Sequence, residues 1–273
     1  LALPNGIASD EDLDIVAGRY AFVGAAIARA ARRAAAGARL RDPKNVNVTL
    51  EDLSDASRLT FSHRLGALAQ RIPTGFRWED LVLPPDTLEA VREVVRFARH
   101  RPFLLEQWGF AAKLPYGRGV SAIMAGPPGT GKTMVAGLIA RELGLDLYQV
   151  DASKISSKWI GETEANLAKL FDAAEAGHAI LLFDEADTIF GKRTEVKSSN
   201  DRHANSEVNY LLQRLESFRG MVLLTTNHEN AMDAAFARRL STHIRFALPE
   251  VTERAALWQA CLPADAPCAA GAR

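Results

Sequence analysis

The sequence predicts an α/β protein in which a parallel five-stranded sheet is flanked by helices and preceded by an N-terminal all-helical segment. From Val120 onward, short apolar segments alternate with stretches of helical pattern, which is typical of parallel strands joined by crossover helices. A glycine-rich loop follows the first apolar segment and opens a helix. Residues 10 to about 72 place apolar side chains at helical spacing and show no strand pattern. The five predicted strands lie in segments 120–126, 146–151, 179–185, 221–227 and 242–248.

Four regions divide the chain. Residues 1–72 form the helical segment, and residues 120–262 form the α/β core. Between them, residues 73–119 are a linker followed by the first helix of the core, because Pro and Gly are frequent at its start. Residues 263–273 are a tail. We therefore expect one α/β core with a smaller helical unit before it.

The composition disfavours several classes of protein. Lys and Arg number 33 and so do Asp and Glu, and a net charge of zero disfavours a role in sequence-independent binding to nucleic acid. The arginines of the helical segment could touch nucleic acid, although a solvated helix face is the commoner reason for such a cluster. The two cysteines, Cys261 and Cys268, are too few for a disulfide framework. With no apolar run of roughly 20 residues, we predict a reduced, cytoplasmic protein without a membrane segment.

The segment GPPGTGKT at 126–133 has the spacing of a phosphate-binding loop. Its glycines let backbone N–H groups point inward at a helix N-terminus, which attracts anions. Lys132 adds a positive charge for the β- and γ-phosphates, and Thr133 adds a hydroxyl for Mg²⁺. A plain Gly-Pro turn is the alternative, against which the flanking strand and helix argue. The predicted nucleotide-binding residues are Pro128, Gly129, Thr130, Gly131, Lys132, Thr133 and Met134.

Two acids, Asp184 and Glu185, end the apolar strand AILLFDE. Ligands of open α/β sheets bind at the carboxyl ends of the strands, so we expect both acids beside the phosphate loop. Asp184 is suited to hold Mg²⁺ through water, and Glu185 to orient or deprotonate the attacking water. A pair of acids that caps a helix is the alternative. For Asp187, helix capping is the favoured role.

Asn227, Arg238 and Arg239 are further candidates. An amide at the end of strand 221–227 could bind the γ-phosphate and the attacking water, although an Asn after a strand is commonly a turn residue. Paired arginines are commonly surface charges, but guanidinium groups also serve as transition-state clamps supplied by a neighbouring subunit. The residues alone leave these alternatives open.

The order of these motifs resembles the AAA+ ATPases, specifically the AAA family proper, over about residues 76–262. GPPGTGKT matches the Walker A loop, LLFDEAD matches the Walker B strand, and LLTTNHENAMDAAFARRL is similar to the second region of homology. The resemblance implies a P-loop NTPase core that binds ATP and Mg²⁺ and hydrolyses ATP. It implies that Asn227 is sensor 1. It also implies that Arg238 and Arg239 are arginine fingers that reach the next subunit of a homo-oligomeric, hexameric ring.

The segment SKWIGE at 157–162 is similar to the aromatic–hydrophobic–Gly pore loop of the family. The resemblance implies that Lys158, Trp159, Ile160 and Gly161 face the central channel and that a polypeptide substrate is pulled past them. An aromatic ring suits that role because it contacts side chains by area and stacking, irrespective of their sequence. Packing of Trp159 against its own subunit is the alternative.

Residues 10 to about 60 resemble the small helical lid that follows the core in this family. The chain has no initiator Met and ends about ten residues after ERAALWQACLP, so its own C-terminal lid is expected to be missing. We expect a fragment of a tandem-module protein, and an incomplete sequence is the alternative. The region of 100–133 resembles bacterial AAA proteins, including some encoded beside contractile injection systems.

The leading hypothesis is Mg²⁺-dependent ATP hydrolysis that drives protein remodelling or unfolding by threading through a hexameric pore. A nucleotide-gated assembly scaffold or chaperone with incidental turnover is the alternative, and the intact Glu185 favours turnover. A DNA-dependent motor is disfavoured by the zero net charge and by an aromatic residue where a basic pore loop would be expected.

Overall fold

The centre of the protein is a six-stranded sheet. The computed structural model describes residues 9–20, 22–44, 46–65, 68–114, 117–155, 162–187, 199–228 and 238–262. The strands are β1 Ala69–Ile72, β2 Val120–Ala125, β3 Leu147–Val150, β4 Ile180–Phe183, β5 Met221–Thr226 and β6 Thr242–Arg245. Their spatial order is β1-β3-β4-β5-β2-β6. Strands β2 to β6 are parallel, which confirms the predicted fold class.

The sheet has one strand more than the sequence predicts. β1 pairs antiparallel with β3 at the edge of the sheet, with Ala69 opposite Val150 and Ile72 opposite Leu147. Its sequence, AQRI, is short and half exposed, so it lacks the apolar alternation by which strands are recognised. The helical segment therefore ends in a strand that belongs to the core sheet.

The described part of the chain also contains nine α-helices. They are α1 Asp10–Arg19, α2 Gly24–Arg41, α3 Leu50–Leu65, α4 Pro85–Glu106, α5 Lys132–Leu143, α6 Ala152–Ile155, α7 Glu162–Ala176, α8 Ser199–Ser217 and α9 Val251–Cys261. None of them is both long and apolar enough to cross a membrane. α3 starts with a reciprocal capping box, in which the Asp52 N–H donates to Thr49 Oγ1 and the Thr49 N–H donates to Asp52 Oδ2.

Different helices cover the two faces of the sheet. On one face, α4 and α5 bury apolar side chains such as Val94 and Ile139 against Leu182 and Leu223. On the other face, α3, α7 and α8 pack around the aromatic side chains of the sheet. β4 is buried along its whole length, as expected for a central strand covered on both faces.

The N-terminal helical unit packs directly on the core through α3. Phe61 lies edge-to-face on Tyr148 of β3, with ring centroids 5.6 Å apart. The ring also lies against Gly177, where an added Cβ would come within 2.1 Å of Phe61 Cε2. The absence of a side chain at Gly177 therefore makes room for Phe61.

A buried carboxylate joins the same two units. Asp146, which is 8% exposed, immediately precedes β3 and lies between two arginines of the N-terminal unit. Arg71 Nη2 of β1 is 3.0 Å from Asp146 Oδ1, and Arg58 Nε of α3 is 3.4 Å from Oδ2. The N-terminal unit is therefore held to the edge of the sheet by charge as well as by apolar packing.

Candidate nucleotide site

The phosphate loop lies at the carboxyl end of β2, where the chain turns into α5. Gly129 and Gly131 have φ values of +77° and +91°, in the left-handed region that favours glycine. An added Cβ at Gly126 would lie 2.1 Å from the Phe246 carbonyl oxygen. The three glycines therefore allow both the turn and the close approach of the loop to the end of β6. The loop leads into the N-terminus of α5, a twelve-residue helix that starts at Lys132.

Lys132 joins the phosphate loop to the end of β5. Its Nζ donates hydrogen bonds to Gly126 O at 2.7 Å, to Pro127 O at 2.8 Å and to Asn227 Oδ1 at 2.9 Å. Burial lowers the pKa of Lys132, and the nearby charge of Asp184 acts in the opposite direction. Lys132 and Asn227, far apart in sequence, therefore contact each other directly.

The two acids lie next to the loop, at the carboxyl end of β4. Asp184 Oδ2 accepts a hydrogen bond from Gln149 Nε2 at 3.0 Å, and Asp184 Oδ1 accepts one from Thr225 Oγ1. Glu185 has a φ of +51°, and its backbone N–H donates to Thr225 Oγ1 at 3.1 Å. Three residues beyond Asp184, Asp187 accepts a hydrogen bond from Thr226 Oγ1 at 2.9 Å. β5 therefore fixes the chain that follows β4.

A cavity of about 160 Å³ adjoins the phosphate loop and suits the base of a nucleotide. Residues 80–84, which precede α4, form one wall with the apolar side chains Leu81, Val82 and Leu83. Met134 of α5 and Leu257 of α9 also face the cavity. Of these side chains, sequence reasoning found only Met134. The apolar run LVL in the linker was the available signal for the missing wall.

The donor set around the loop fits a magnesium nucleotide. Thr133 in the first turn of α5 and Asp184 at the end of β4 provide a hydroxyl and a carboxylate, both oxygen ligands. Mg²⁺ prefers oxygen ligands, and it is usually held by few side chains together with waters and substrate phosphates. Among the described residues, no group of three or more His, Cys, Asp or Glu could hold a metal ion.

Arg238 and Arg239 lie away from this site. They come just before β6, which runs parallel to β2, and therefore lie at the amino edge of the sheet. Arg239 Nε forms an ion pair with Glu216 Oε1 at the end of α8. The strands rise about 3.3 Å per residue, so roughly 17–20 Å separates this edge from the phosphate loop. The structure thus brings together the loop, Asp184, Glu185 and Asn227, but not the two arginines.

The predicted pore-loop residues Lys158, Trp159, Ile160 and Gly161 lie outside the described residues. The described chain ends at Ile155 of α6 on one side and resumes at Glu162 of α7 on the other.

The strand order, the glycine loop and the acids at the strand ends define a P-loop nucleotide-binding domain. The profile of the family described as "ATPase family associated with various cellular activities (AAA)" matches residues 122–248. Residues 122–248 therefore match the ATPase domain of this family, as the motifs predict.

Three curated proteins illustrate the similarity. Cell division protein C of Sulfolobus acidocaldarius is 33% identical over 189 residues, 66% of this chain and 48% of that protein. The proteasome-activating nucleotidase of Methanoregula boonei is 30% identical over 240 residues, 80% of this chain and 54% of that protein. The human ATPase family gene 2 protein homolog A is 33% identical over 182 residues, 64% of this chain and 20% of that protein. The chain thus spans about half or less of each relative.

Proposed function

We propose that the protein hydrolyses ATP with Mg²⁺ at a site that a second copy of the chain completes. The position of Arg238 and Arg239 carries this proposal. They lie at the sheet edge opposite the phosphate loop of the same chain, where they cannot reach their own nucleotide. A head-to-tail ring joins two different surfaces of neighbouring subunits, and in the proposed ring the amino edge of one subunit faces the phosphate loop of the next. A hexamer is the ring size that the family resemblance implies.

Each site residue has a distinct proposed role. The backbone of residues 126–131 and Lys132 hold the phosphates, which requires Lys132 Nζ to exchange the carbonyls of Gly126 and Pro127 for phosphate oxygens. Thr133 and Asp184 hold Mg²⁺, which offsets phosphate charge when bound. Glu185 orients the attacking water and accepts its proton. Asn227 contacts the γ-phosphate.

The turnover is proposed to drive the remodelling of polypeptides. The relative from Methanoregula boonei is named a proteasome-activating nucleotidase, which supports a polypeptide substrate. The motif SKWIGE supports a threading role for Trp159 and Ile160, with Lys158 and Gly161 beside them. In the sequence, the motif lies between α6, which follows β3, and the core helix α7. The proposal does not include nucleic acid or a membrane as partner.

ATPase activity per subunit, measured against protein concentration with Mg²⁺, tests the proposal. We expect the specific activity to rise with concentration and then level off, because each site needs a neighbour. Addition of a permanently unfolded polypeptide should raise the plateau. Saturating ATP binding without turnover at any concentration would contradict hydrolysis and favour the nucleotide-gated scaffold. Stimulation by DNA and not by unfolded protein would favour the DNA-dependent motor.

Several finer assignments remain predictions from the sequence. They are the cytoplasmic location, the bacterial source, the setting beside contractile injection systems and the origin as a fragment of a tandem-module protein. The activity of the whole protein is likewise proposed, because the chain covers between 20% and 54% of the length of the relatives named above.

A further inference from the structure

The carboxylate of Asp184 is held on both oxygens by neutral side chains. Gln149 Nε2 donates to Oδ2 at 3.0 Å, and the hydroxyl of Thr225 donates to Oδ1. Gln149 belongs to β3 and Thr225 to β5, the two strands that flank β4. The carboxylate that follows β4 is therefore fixed from both sides by the sheet itself.

Thr225 also holds the next acid. Its side chain is buried, with the residue 1% exposed, and its Oγ1 accepts the backbone N–H of Glu185 at 3.1 Å. A hydroxyl has one proton to donate and lone pairs to accept with, so one Thr side chain serves both contacts. Glu185 has a left-handed φ of +51°, a conformation that costs free energy in a residue other than glycine. The hydrogen bond to Thr225 offsets part of that cost.

The neutrality of both donors has a chemical consequence. A hydrogen-bonded Lys or Arg would partly offset the charge of Asp184, whereas an amide and a hydroxyl fix its position and add no further positive charge. Each carboxylate oxygen can accept more than one hydrogen bond, so each keeps accepting capacity for a water of the metal shell. Side chains that hydrogen-bond to a metal-holding group without touching the metal themselves orient that group.

We infer that Thr225 and Gln149 are positioning residues of the ATPase site, with Thr225 fixing both the metal-holding and the water-activating acid. The inference rests on the proposed function, since it assigns these two residues to the same site. Neither residue belongs to the phosphate loop or to the acidic motif. They act through Asp184 and Glu185 and are not catalytic residues themselves.

Thr225→Val tests the inference, because valine keeps the shape of threonine and removes the hydroxyl. The first measurements are kcat and KM for ATP. The second is the affinity for a fluorescent ADP as Mg²⁺ is added, from which we take the Mg²⁺ concentration that gives half of the full gain in affinity. We expect kcat to fall and the Mg²⁺ requirement to rise, each by about tenfold or more. KM and the ADP affinity measured in EDTA should stay within about twofold, because the phosphate loop is unchanged. Thr225→Ser should restore both properties.

Thr60→Val is the matched control. Thr60 is also buried, and its hydroxyl donates to Ala56 O within α3, a helix that supplies none of the site residues. Loss of a buried hydroxyl should lower stability in both Val variants, but only Thr225→Val should change the Mg²⁺ requirement. An unchanged Mg²⁺ requirement in folded Thr225→Val would overturn the inference. The inference would also be overturned if Thr225→Ser did not restore the parent Mg²⁺ requirement, because the methyl group of Thr225 and not its hydroxyl would then be responsible.

Gln149→Leu keeps the inference testable if Thr225→Val does not fold. Its Mg²⁺ requirement should rise in the same direction, and an unchanged requirement would overturn the inference. The ADP titration separates the inference from the proposed function. A parent protein that binds ADP with Mg²⁺ but never hydrolyses ATP would contradict the proposed function, while the shift in Mg²⁺ requirement would still support or overturn the positioning role.

Discussion

The proposed roles in nucleotide binding and in water activation fall on different side chains of the site. Lys132 is 8% exposed and is held by carbonyls of the phosphate loop and by Asn227. Glu185 is exposed, and its backbone is tied to Thr225 on the neighbouring strand. Loss of the negative charge on Glu185 therefore leaves the phosphate loop in place.

Glu185→Gln should bind ATP like the parent protein and fail to turn it over. Gln can still contact a water but cannot take its proton, so we expect kcat to fall by about 100-fold or more. Steady-state ATPase assays and ATP affinity by fluorescence titration measure the two effects. Glu142→Gln, which alters a half-buried partner of Arg99 on α5, is the control and should leave both properties unchanged. Hydrolysis by Glu185→Gln at the parent rate would mean that another group activates water.

Tyr148 should make folding sensitive to alkaline pH. Burial raises the pKa of Tyr148 to about 12, and the negative charge of Asp146 acts in the same direction. The raised pKa means that Tyr148 contributes stability fully below pH 10 and loses it as pH rises toward 12, because the unfolded chain ionises first. We expect about 2–3 kcal/mol of unfolding free energy to be lost over this range through Tyr148.

Urea unfolding of the parent protein and of Tyr148→Phe, measured between pH 9 and pH 12, isolates this contribution. Other ionisable groups affect both proteins equally, so the difference between the two curves is the informative quantity. Tyr210→Phe removes the hydroxyl of a half-buried tyrosine on α8 and is the control. Parallel curves for the parent protein and Tyr148→Phe would show that Tyr148 does not ionise more readily in the unfolded chain.

At the level of elements, the N-terminal unit is the part of the fold that the sequence describes least completely. The strands β2 to β5 could be predicted because each is largely apolar, and β6 because it continues the alternation of strands and helices in the core. The start of α3 could be predicted because Thr49 and Asp52 form a local capping pattern. β1 could not, because the four residues AQRI lack apolar alternation and lie outside the alternating strands and helices of the core. The docking of Phe61 on Tyr148 depends on long-range packing, which no local pattern encodes.

The candidate site divides in the same way. The loop and the acids could be predicted because contiguous motifs supply them. Gln149 and Thr225 were missed, since each matters only through contacts made across neighbouring strands. A glutamine in an apolar strand and a pair of threonines before Asn227 were the available signals.

Asp146→Asn should loosen the attachment of the N-terminal unit. The substitution removes the charge between Arg58 and Arg71, and we expect a loss of about 1–3 kcal/mol of unfolding free energy, because Asp146 is buried while both arginines are partly exposed. Glu89→Gln is the matched control, since Glu89 also pairs with two arginines but lies in solvent, where such pairs contribute about 0.5 kcal/mol. Urea unfolding compares the variants. Equal losses would show that apolar packing alone attaches the unit.

At the level of the whole molecule, the residues that we propose to share one catalytic site lie at opposite edges of the sheet. The phosphate loop, Asp184 and Glu185 follow the carboxyl ends of the strands, whereas Arg238 and Arg239 precede β6. Arg239 is paired with Glu216 in the single chain. The proposed assembly requires Arg239 to reach a neighbouring nucleotide, either while paired with Glu216 or after release from it.

Mixing two inactive variants should restore activity. The Arg239→Ala variant keeps an intact nucleotide site but lacks Arg239. The Lys132→Ala variant keeps Arg239 but should bind nucleotide poorly. In mixed assemblies, Lys132→Ala subunits should supply Arg239 to the intact sites of Arg239→Ala subunits. ATPase activity of the mixture, compared with each variant alone, measures this. Arg219→Ala, which alters an exposed arginine just after α8, should stay active by itself. A mixture no more active than its parts would remove Arg239 from this role.

The antiparallel strand β1 has a practical consequence for any shortened form of the chain. A version that starts at residue 73 would lack β1 and α3, leaving the outer backbone groups of β3 unpaired and Tyr148 uncovered. Unpaired strand edges pair with other chains and promote aggregation. Such a version would self-associate through its sheet edge as its concentration rises. In size-exclusion chromatography, this aggregation would resemble ring formation. Only association accompanied by rising ATPase activity per subunit would distinguish the two.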